Sequence, residues 1–200
     1  MLYLVDYRDF YWLAHRIPFC YNSVVVIKMI DWNKIYALLN DVTPLRTNCG
    51  ELCDAICCTE WDEGVGMYLL PGEEVMFSGE EEWADWEELD TEDYEFCPSW
   101  SGKVKFLRCK GYCQREKRPL ACRVFPLMPY LTKDGILELR WDKELGKICP
   151  LVQTADLNVL DPEFISRVKQ VYMLLLEDHL IKEDIEWQSR KLDNENAPPV

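Results

Sequence analysis

The hydrophobic pattern predicts its clearest helix near the C-terminal end of the chain. Phe164 and Val168 begin an apolar stripe whose members recur every three or four residues, which is the period of one face of an α-helix. Asp161 and Pro162 stand directly before the stripe, in the order of an N-cap followed by a first-turn proline. The pattern therefore predicts one helix from Asp161 to about Arg190.

Two shorter patterns predict a second helix and a β-hairpin. Residues 31–40 read as a short helix, with Asp31 as its N-cap. Residues 130–141 carry two apolar runs on either side of a Thr-Lys-Asp-Gly turn at 132–135, which is typical of a hairpin. Residues 194–200 are polar and end in Pro-Pro-Val, so we expect a frayed tail.

The segment 80–95 is intensely acidic but also carries aromatic residues. Trp83, Trp86 and Leu89 recur at i, i+3 and i+6, which would place them on one side of a helix. We therefore predict an acidic helix that docks through these side chains. Residues 97–123 show no regular period and are expected to form irregular loops.

Together these elements predict a single α+β domain that is dominated by helices, with irregular cysteine-bearing loops and one small hairpin. A chain of 23.7 kDa suits one domain. Its expected organisation is an N-terminal helical and aromatic extension at 1–48, a cysteine-bearing domain at 49–150, and a C-terminal helix with its tail at 151–200.

The composition of the chain limits the cellular compartments and the kinds of binding partner that we expect. No apolar run approaches the roughly 20 residues that cross a bilayer, and Asp6, Arg8 and Asp9 interrupt the start of the chain, where a secretory signal would be apolar. We therefore expect a cytoplasmic protein without membrane insertion. The net charge of −14 argues against nucleic acid as a partner.

The charge is divided into blocks of opposite sign. Residues 51–100 carry seventeen acidic residues and no lysine or arginine, whereas residues 101–150 carry twelve lysines and arginines against five acids. Such runs are most often solvated faces. Two further hypotheses are that the basic block offsets the negative charge of a thiolate site, and that the acidic block attracts a basic protein partner or substrate.

The ten cysteines are the strongest chemical signal, because all but Cys20 are grouped. The grouped cysteines are Cys49, Cys53, Cys57, Cys58, Cys97, Cys109, Cys113, Cys122 and Cys149. Three interpretations are open: small buried hydrophobic residues, a disulfide framework, or a metal site. A reducing compartment and the bunching of the thiols favour metal.

Spacing supports the same interpretation. Cys49, Cys53 and Cys57 would share one face of a helix, and the adjacent pair Cys57-Cys58 could form a disulfide only with strain. Metal ions tolerate both arrangements, since they draw thiolates from helices and from distant loops. Gly111, between Cys109 and Cys113, would let that loop wrap around an ion.

Two stretches resemble the YkgJ-type cysteine-cluster family. One is Cys-Gly-Glu-Leu-Cys-Asp-Ala-Ile-Cys-Cys at 49–58, and the other is Arg-Pro-Leu-Ala-Cys-Arg-Val-Phe-Pro-Leu at 118–127. The resemblance covers about 49–150 and implies a zinc- or iron-chelating domain, of the kind that flagellin lysine N-methylases include. The opening cysteines here are separated by three residues, where the family has two.

Carried onto this chain, the family's motifs identify the candidate ligands. They correspond to Cys49, Cys53, Cys57, Cys58, Cys113, Cys122 and the Cys149-Pro150 pair. The family's cysteine ahead of the middle one corresponds to either Cys97 or Cys109, so both stay candidates. Arg118 and Arg123 of the second motif are expected to offset the thiolate charge.

Three functions are therefore weighed. The first is a metal-binding protein that holds zinc or an iron–sulfur cluster in a structural or redox role. The second is a lysine N-methylase-like enzyme, for which Gly64-Val-Gly66 is too short to be a nucleotide-binding turn. The third is an interaction module whose partner patch includes Trp83, Trp86 and Trp100. A zinc hydrolase is not expected, because catalytic zinc sites usually use histidine ligands and the chain has only two histidines, His15 and His179.

Overall fold

A computed structural model describes residues 29–59, 66–93, 96–111, 113–143, 145–154 and 156–195. The predicted aromatic extension up to residue 28, Cys20 and the tail beyond residue 195 lie outside these residues. None of the helices in the described part of the chain is both long enough and apolar enough to span a membrane.

The described residues form short helices and two small antiparallel sheets. The α-helices are α1 (Trp32–Leu39), α2 (Ile56–Thr59), α3 (Leu120–Val124), α4 (Pro162–Leu175) and α5 (His179–Glu195). The strands are β1 (Gly66–Tyr68), β2 (Ala84–Asp90), β3 (Lys103–Cys109), β4 (Leu127–Leu131) and β5 (Leu137–Trp141). Single 3₁₀ turns stand at Cys49–Leu52, Glu73–Met76, Thr91–Asp93, Arg115–Lys117, Leu145–Ile148, Val152–Thr154 and Leu157–Val159.

The main hydrophobic core lies between the helices and the β4–β5 hairpin. Helix α1 contacts α4, α4 contacts β5, and α5 contacts β4. Phe164, Val168 and Leu175 project from α4 and are fully buried in this core. Leu120 and Val124 of α3 belong to the same core, so the motif that carries Cys122 is anchored by the packing of its apolar neighbours.

Three local predictions are confirmed. Helix α1 begins after Asp31, whose side chain accepts a hydrogen bond from the backbone N–H of Lys34 at 3.0 Å. The hairpin forms with Leu127 paired to Trp141 and Leu131 paired to Leu137. Asp161 and Pro162 begin α4 as predicted.

The predicted single C-terminal helix is wrong in its length. Helix α4 ends at Leu175, and a new helix begins after Asp178, whose carboxylate accepts hydrogen bonds from the backbone N–H groups of Leu180 and Ile181 at 2.9 and 3.1 Å. Asp178 is thus an N-cap, and this local signal allows the chain to turn and α5 to lie against β4.

The predicted acidic helix at 80–95 is also wrong, because this segment contains strand β2. β2 pairs with β3 along its whole length, and β1 pairs with the other edge of β3. Trp83 and Trp86 pack against a small core around Leu107. Leu89 packs instead against the separate cluster of Trp100 and Val104. The three side chains therefore do not share one face, as they would on a helix.

Charge explains why β2 is stable as a strand. Four cross-strand ion pairs connect its acids to the basic residues of β3 and its end. They are Asp85–Lys110 at 2.5 Å, Glu87–Arg108, Glu88–Lys105 at 2.5 Å, and Asp90–Lys103 at 3.0 Å. In a helix the same acids would face one another and repel, whereas in the sheet each faces a cation.

The prediction of a helix-dominated fold with one hairpin is therefore corrected to a mixed fold. Two sheets are present in the described residues, with strand orders β1-β3-β2 and β4-β5. The three-stranded sheet arises from segments that the sequence assigned to a helix and to irregular loops. Its strands pair over long sequence separations, so their partners were not visible in local periodicity.

Candidate metal centre

The opening cysteine segment is not the continuous helix that the i, i+4, i+8 spacing predicted. A 3₁₀ turn at Cys49–Leu52 is followed by Asp54 and Ala55 in the left-handed region, both with φ of 52°, and then by α2. An alanine in this region costs about 1–2 kcal/mol. The reversal divides the segment, so Cys57 and Cys58 belong to a different turn from Cys49.

The first group of thiols forms around Cys49. The thiol of Cys53 donates a hydrogen bond to the backbone carbonyl of Cys49 at 3.6 Å. Burial raises the pKa of Cys49, and the proximity of Cys53 and Cys149 raises this pKa further. Cys57 interacts electrostatically with Cys49 and Cys53. Cys49, Cys53, Cys57 and Cys149 are therefore neighbours although they come from two distant segments.

The second group forms around Cys122 in α3. Burial raises the pKa of Cys122, and the nearby thiols of Cys109, Cys113 and Cys58 raise it further. The pKa of Cys109 is raised by burial and then by Cys113 and Cys58. Three segments thus converge: α2, the end of β3 with its following loop, and the start of α3. Cys109 ends β3, β3 pairs with β1, and β1 contacts α3, so the three-stranded sheet connects two of these segments.

The adjacent pair Cys57-Cys58 connects the two groups. A hydrogen bond between these thiols raises the pKa of Cys57, and burial raises it as well. The same hydrogen bond lowers the pKa of Cys58 to about 6, against the opposing effect of burial, and Arg118 lowers it further. Within this pair, Cys58 is therefore the thiol that carries negative charge more easily, and it interacts electrostatically with Cys109, Cys113 and Cys122 of the second group.

Arg118 is the arginine at the centre of the second group. Its side chain hydrogen-bonds the thiol of Cys113 and interacts electrostatically with Cys58 and Cys122. Arg115 stands nearer the first group, where its charge lowers the pKa of Cys49 against the larger effect of burial. These two cations could offset the charge of deprotonated thiols.

Arg123, the other predicted arginine, points away from the thiols. Its guanidinium is 2% exposed and donates to the carbonyl oxygens of Arg118 at 2.8 Å and Glu116 at 2.6 Å, and to Asn40 Oδ1 at 2.9 Å. It also stacks over the ring of Tyr36 at 4.3 Å. Arg123 therefore holds the backbone of the loop that carries Arg118.

Cys97 lies apart from the other eight described cysteines. Its backbone N–H donates to Asp184 Oδ1 of α5 at 2.8 Å, and its thiol hydrogen-bonds the same carboxylate. Its neighbours are Trp100 and Val104. Of the two residues that the resemblance left open, Cys109 joins the thiol groups and Cys97 does not.

Replacing Cys97 with serine is therefore expected to leave metal content unchanged, because this thiol is not among the eight that converge. The comparison is with Cys109→Ser, in which a thiol of the second group is lost. Elemental analysis of both purified variants measures the difference. A loss of metal in Cys97→Ser equal to that in Cys109→Ser would contradict the geometric assignment.

A buried carboxyl beneath the centre gave no signal in the sequence. Glu73 is 1% exposed, and its oxygens accept hydrogen bonds from the hydroxyl of Tyr36 at 2.7 Å and from the backbone N–H groups of Leu120 and Leu70 at 2.7 and 2.9 Å. The bond to Leu120 fixes the first residue of α3, two positions before Cys122. Glu73 thus supports the helix that carries a candidate ligand.

Burial raises the pKa of Glu73, against the opposing effects of its hydrogen bonds and of Arg123. A carboxyl whose pKa is raised by folding stabilises the folded state most at low pH, and this contribution is lost as the pH rises. We expect the free energy of unfolding of the wild type, relative to Glu73→Gln, to fall from about pH 4.3 up to the raised pKa. Urea unfolding of both proteins across that range measures it, and a constant difference would refute the raised pKa.

None of the nine described cysteines forms a disulfide. Within the described residues, no group of three or more His, Cys, Asp or Glu side chains stands in an arrangement that could hold a metal ion. The thiols are neighbours, but their present positions are not those of a closed coordination sphere.

The residues proposed for partner recognition have other contacts in the fold. Four acids of β2, the strand inside the acidic block, pair with cations of β3 and its end. Trp100 is buried, and Trp83 and Trp86 are partly buried against Leu107. The patch of three tryptophans predicted for an interaction module is thus divided between two small cores.

Comparisons with known proteins return no match among family models, curated proteins or solved structures. The resemblance of 49–58 and 118–127 to the cysteine-cluster family consequently remains a prediction that rests on those two motifs.

Proposed function

We propose that this protein binds metal through a cluster of cysteines, as two neighbouring four-thiolate sites that hold zinc or an iron–sulfur cluster in a structural or redox role. The observation that supports the proposal is that pairwise electrostatic interactions link eight cysteines from four stretches of the chain. Buried thiols that served only as small hydrophobic residues would be dispersed through the cores, and here they are not among the main core residues.

The composition of the two groups supports two sites of equal size. The first would use Cys49, Cys53, Cys57 and Cys149, and the second would use Cys58, Cys109, Cys113 and Cys122. Four thiolates are a complete ligand set for a structural zinc ion or for an iron–sulfur cluster. Because Cys57 and Cys58 are adjacent, the two sites would share one turn of α2.

Electrostatics favours a cation in this region. Several of these thiols raise one another's pKa, so deprotonating all of them without a metal would bring negative charges together. A bound metal replaces the protons and neutralises most of that charge. Arg118 and Arg115 would offset part of the charge that remains on a four-thiolate zinc site.

The proposal includes a reducing, cytoplasmic environment. Eight neighbouring thiols would be oxidised to disulfides in a secretory compartment, and the nine cysteines of the described residues form no disulfide. The methylase-like enzyme and the interaction module remain predictions from the sequence, with no observation in the fold that favours either over metal binding.

Anaerobic purification followed by elemental analysis tests the proposal directly. We expect about two equivalents of zinc for two four-thiolate sites, or iron with inorganic sulfide and a brown colour if clusters are bound. The visible spectrum separates the two metals. Protein that contains neither zinc nor iron after anaerobic purification, and that binds neither on titration, would refute the proposal.

A reporter titration adds a second, independent measurement. Cobalt(II) added to the metal-free protein under anaerobic conditions should give the thiolate charge-transfer and ligand-field bands of a tetrahedral sulfur site. Thiols that had only been small hydrophobic residues would give no such bands. The matched control is Cys97→Ser, in which the spectrum should be unchanged.

A further inference from the structure

A partly enclosed cavity lies between α5, α4, α3 and β4, and none of the cysteines in the described residues lines it. Its volume is about 210 Å³. The walls are mainly apolar, with Leu70, Leu120, Met128, Ile181 and Ile185 among the lining residues. A 150 Å³ apolar cavity in another protein accommodates benzene, so this volume suits a molecule of about one aromatic ring with a short substituent.

The lining also includes five polar side chains, those of Tyr68, Glu73, Tyr172, Asp184 and Gln188. Glu73, Tyr172 and Asp184 all line the cavity, and they come from a 3₁₀ turn, α4 and α5 respectively. Tyr172 is 8% exposed, and among the described residues its hydroxyl forms no hydrogen bond. The Tyr172 hydroxyl is therefore available to hydrogen-bond a ligand in the cavity.

Two carboxyl groups, those of Glu73 and Asp184, stand in the walls of the cavity. Among the described residues that line it, none is lysine, arginine or histidine. Arg123 interacts with Glu73 but does not line the cavity. Asp184 accepts a hydrogen bond from the backbone of Cys97, and among the described residues it forms no ion pair. Burial raises the pKa of both carboxyls, as expected where no lining cation compensates them.

We propose that this cavity binds a small primary amine that has an apolar body, with its ammonium group between Asp184 and the hydroxyl of Tyr172. An ammonium offers three donors, of which Asp184 can take one as an ion pair and Tyr172 another. The apolar body would lie against the leucine and isoleucine side chains. A neutral or anionic molecule of the same shape would leave Asp184 uncompensated.

Benzylamine is a suitable probe, because it combines one ring with one ammonium group. Calorimetry with the purified, metal-containing protein at neutral pH should show saturable binding of one equivalent. Benzyl alcohol, which keeps the shape without the charge, should bind about tenfold more weakly or worse, since a hydrogen bond between charged groups is stronger than a neutral one. Equal binding of the two compounds, or no saturable binding of benzylamine at millimolar concentration, would overturn the proposal.

Conservative variants locate the binding in the cavity. Asp184→Asn keeps an oxygen that can accept from the Cys97 backbone but removes the charge, and it should weaken benzylamine binding by about tenfold or more. Glu183→Gln makes the same charge change on the neighbouring residue, which does not line the cavity, and should change affinity less than about twofold. Tyr172→Phe should weaken binding without changing the fold. Unaltered affinity in Asp184→Asn would overturn the proposal.

Amine binding in the cavity can be distinguished from metal binding by the thiols. Metal content should be the same in all three variants and in the wild type, because none of the changed residues is among the eight thiols. Amide chemical shifts should move on titration with benzylamine around Tyr172 and Asp184 and not in the 49–58 segment. Shifts confined to the thiol region would place the amine elsewhere and refute the cavity as its site.

Discussion

Replacing Cys122 with serine is expected to remove metal and to destabilise the fold together. Cys122 stands in α3, in electrostatic contact with Cys109, Cys113 and Cys58, so its loss opens the second proposed site. Binding of structural zinc contributes about 10–16 kcal/mol in zinc-finger peptides, which exceeds or equals the whole stability of a typical domain, about 5–15 kcal/mol. Loss of one of four ligands should therefore lower the free energy of unfolding by several kcal/mol.

The measurement combines elemental analysis with thermal unfolding of the same preparation. At least one metal equivalent should be lost from Cys122→Ser, and the unfolding temperature should fall. Cys97→Ser is the matched control, because it makes the same substitution at a buried cysteine outside the group. Normal metal content with normal melting in Cys122→Ser would show that α3 contributes no ligand.

Replacing Arg123 with alanine is expected to be the most damaging change outside the thiols. The variant loses three hydrogen bonds, to the carbonyls of Arg118 and Glu116 and to Asn40, and the stacking on Tyr36. It also removes the cation that partly compensates buried Glu73. Removing one partner from a buried charged network costs about 3–5 kcal/mol.

Arg167→Ala is the control for this prediction. Arg167 forms a surface ion pair with Glu163 at 3.3 Å, and such pairs contribute about 0–1 kcal/mol. Urea unfolding of the two variants should therefore differ by several kcal/mol. If Arg123→Ala lowered metal affinity and left unfolding unchanged, then Arg123 would act on the thiolates, as its place in the motif suggested, and not on the backbone of the loop.

The helices and the hairpin could be predicted because their signals are local. Asp31 caps the helix that follows within four residues, and Asp161 with Pro162 does the same for α4. The turn at 132–135 joins strands that are adjacent in sequence. In each case the residues that decide the structure lie within one or two turns of the element, where periodicity and capping can be read.

The three-stranded sheet could not be predicted in this way. Trp83, Trp86 and Leu89 have a spacing that suits a helix as well as a strand, and what decides between them is the charge on β3. Lys103 and Asp90 are thirteen residues apart, and Lys110 and Asp85 are twenty-five apart. Pairing at such separations depends on loop closure and on β1, so the preference for a strand is a tertiary one.

The candidate site likewise has features that were predictable from local sequence and features that were not. Cysteine content and grouping, read from the sequence, predicted a thiolate site and included the eight cysteines that interact in the fold. The membership of each group, the exclusion of Cys97 and the different roles of Arg118 and Arg123 required the fold. Cys97 is held by Asp184, eighty-seven residues away, and no spacing rule connects them.

The sequence alone thus determined the grouping of the cysteines and the local elements, since both depend on residue identity and on neighbours a few positions away. The tertiary structure alone decided which thiols are adjacent, which acids are neutralised and where a cavity with uncompensated carboxyls remains. These depend on contacts between distant segments, where burial and charge pairing outweigh the local preference of any one residue.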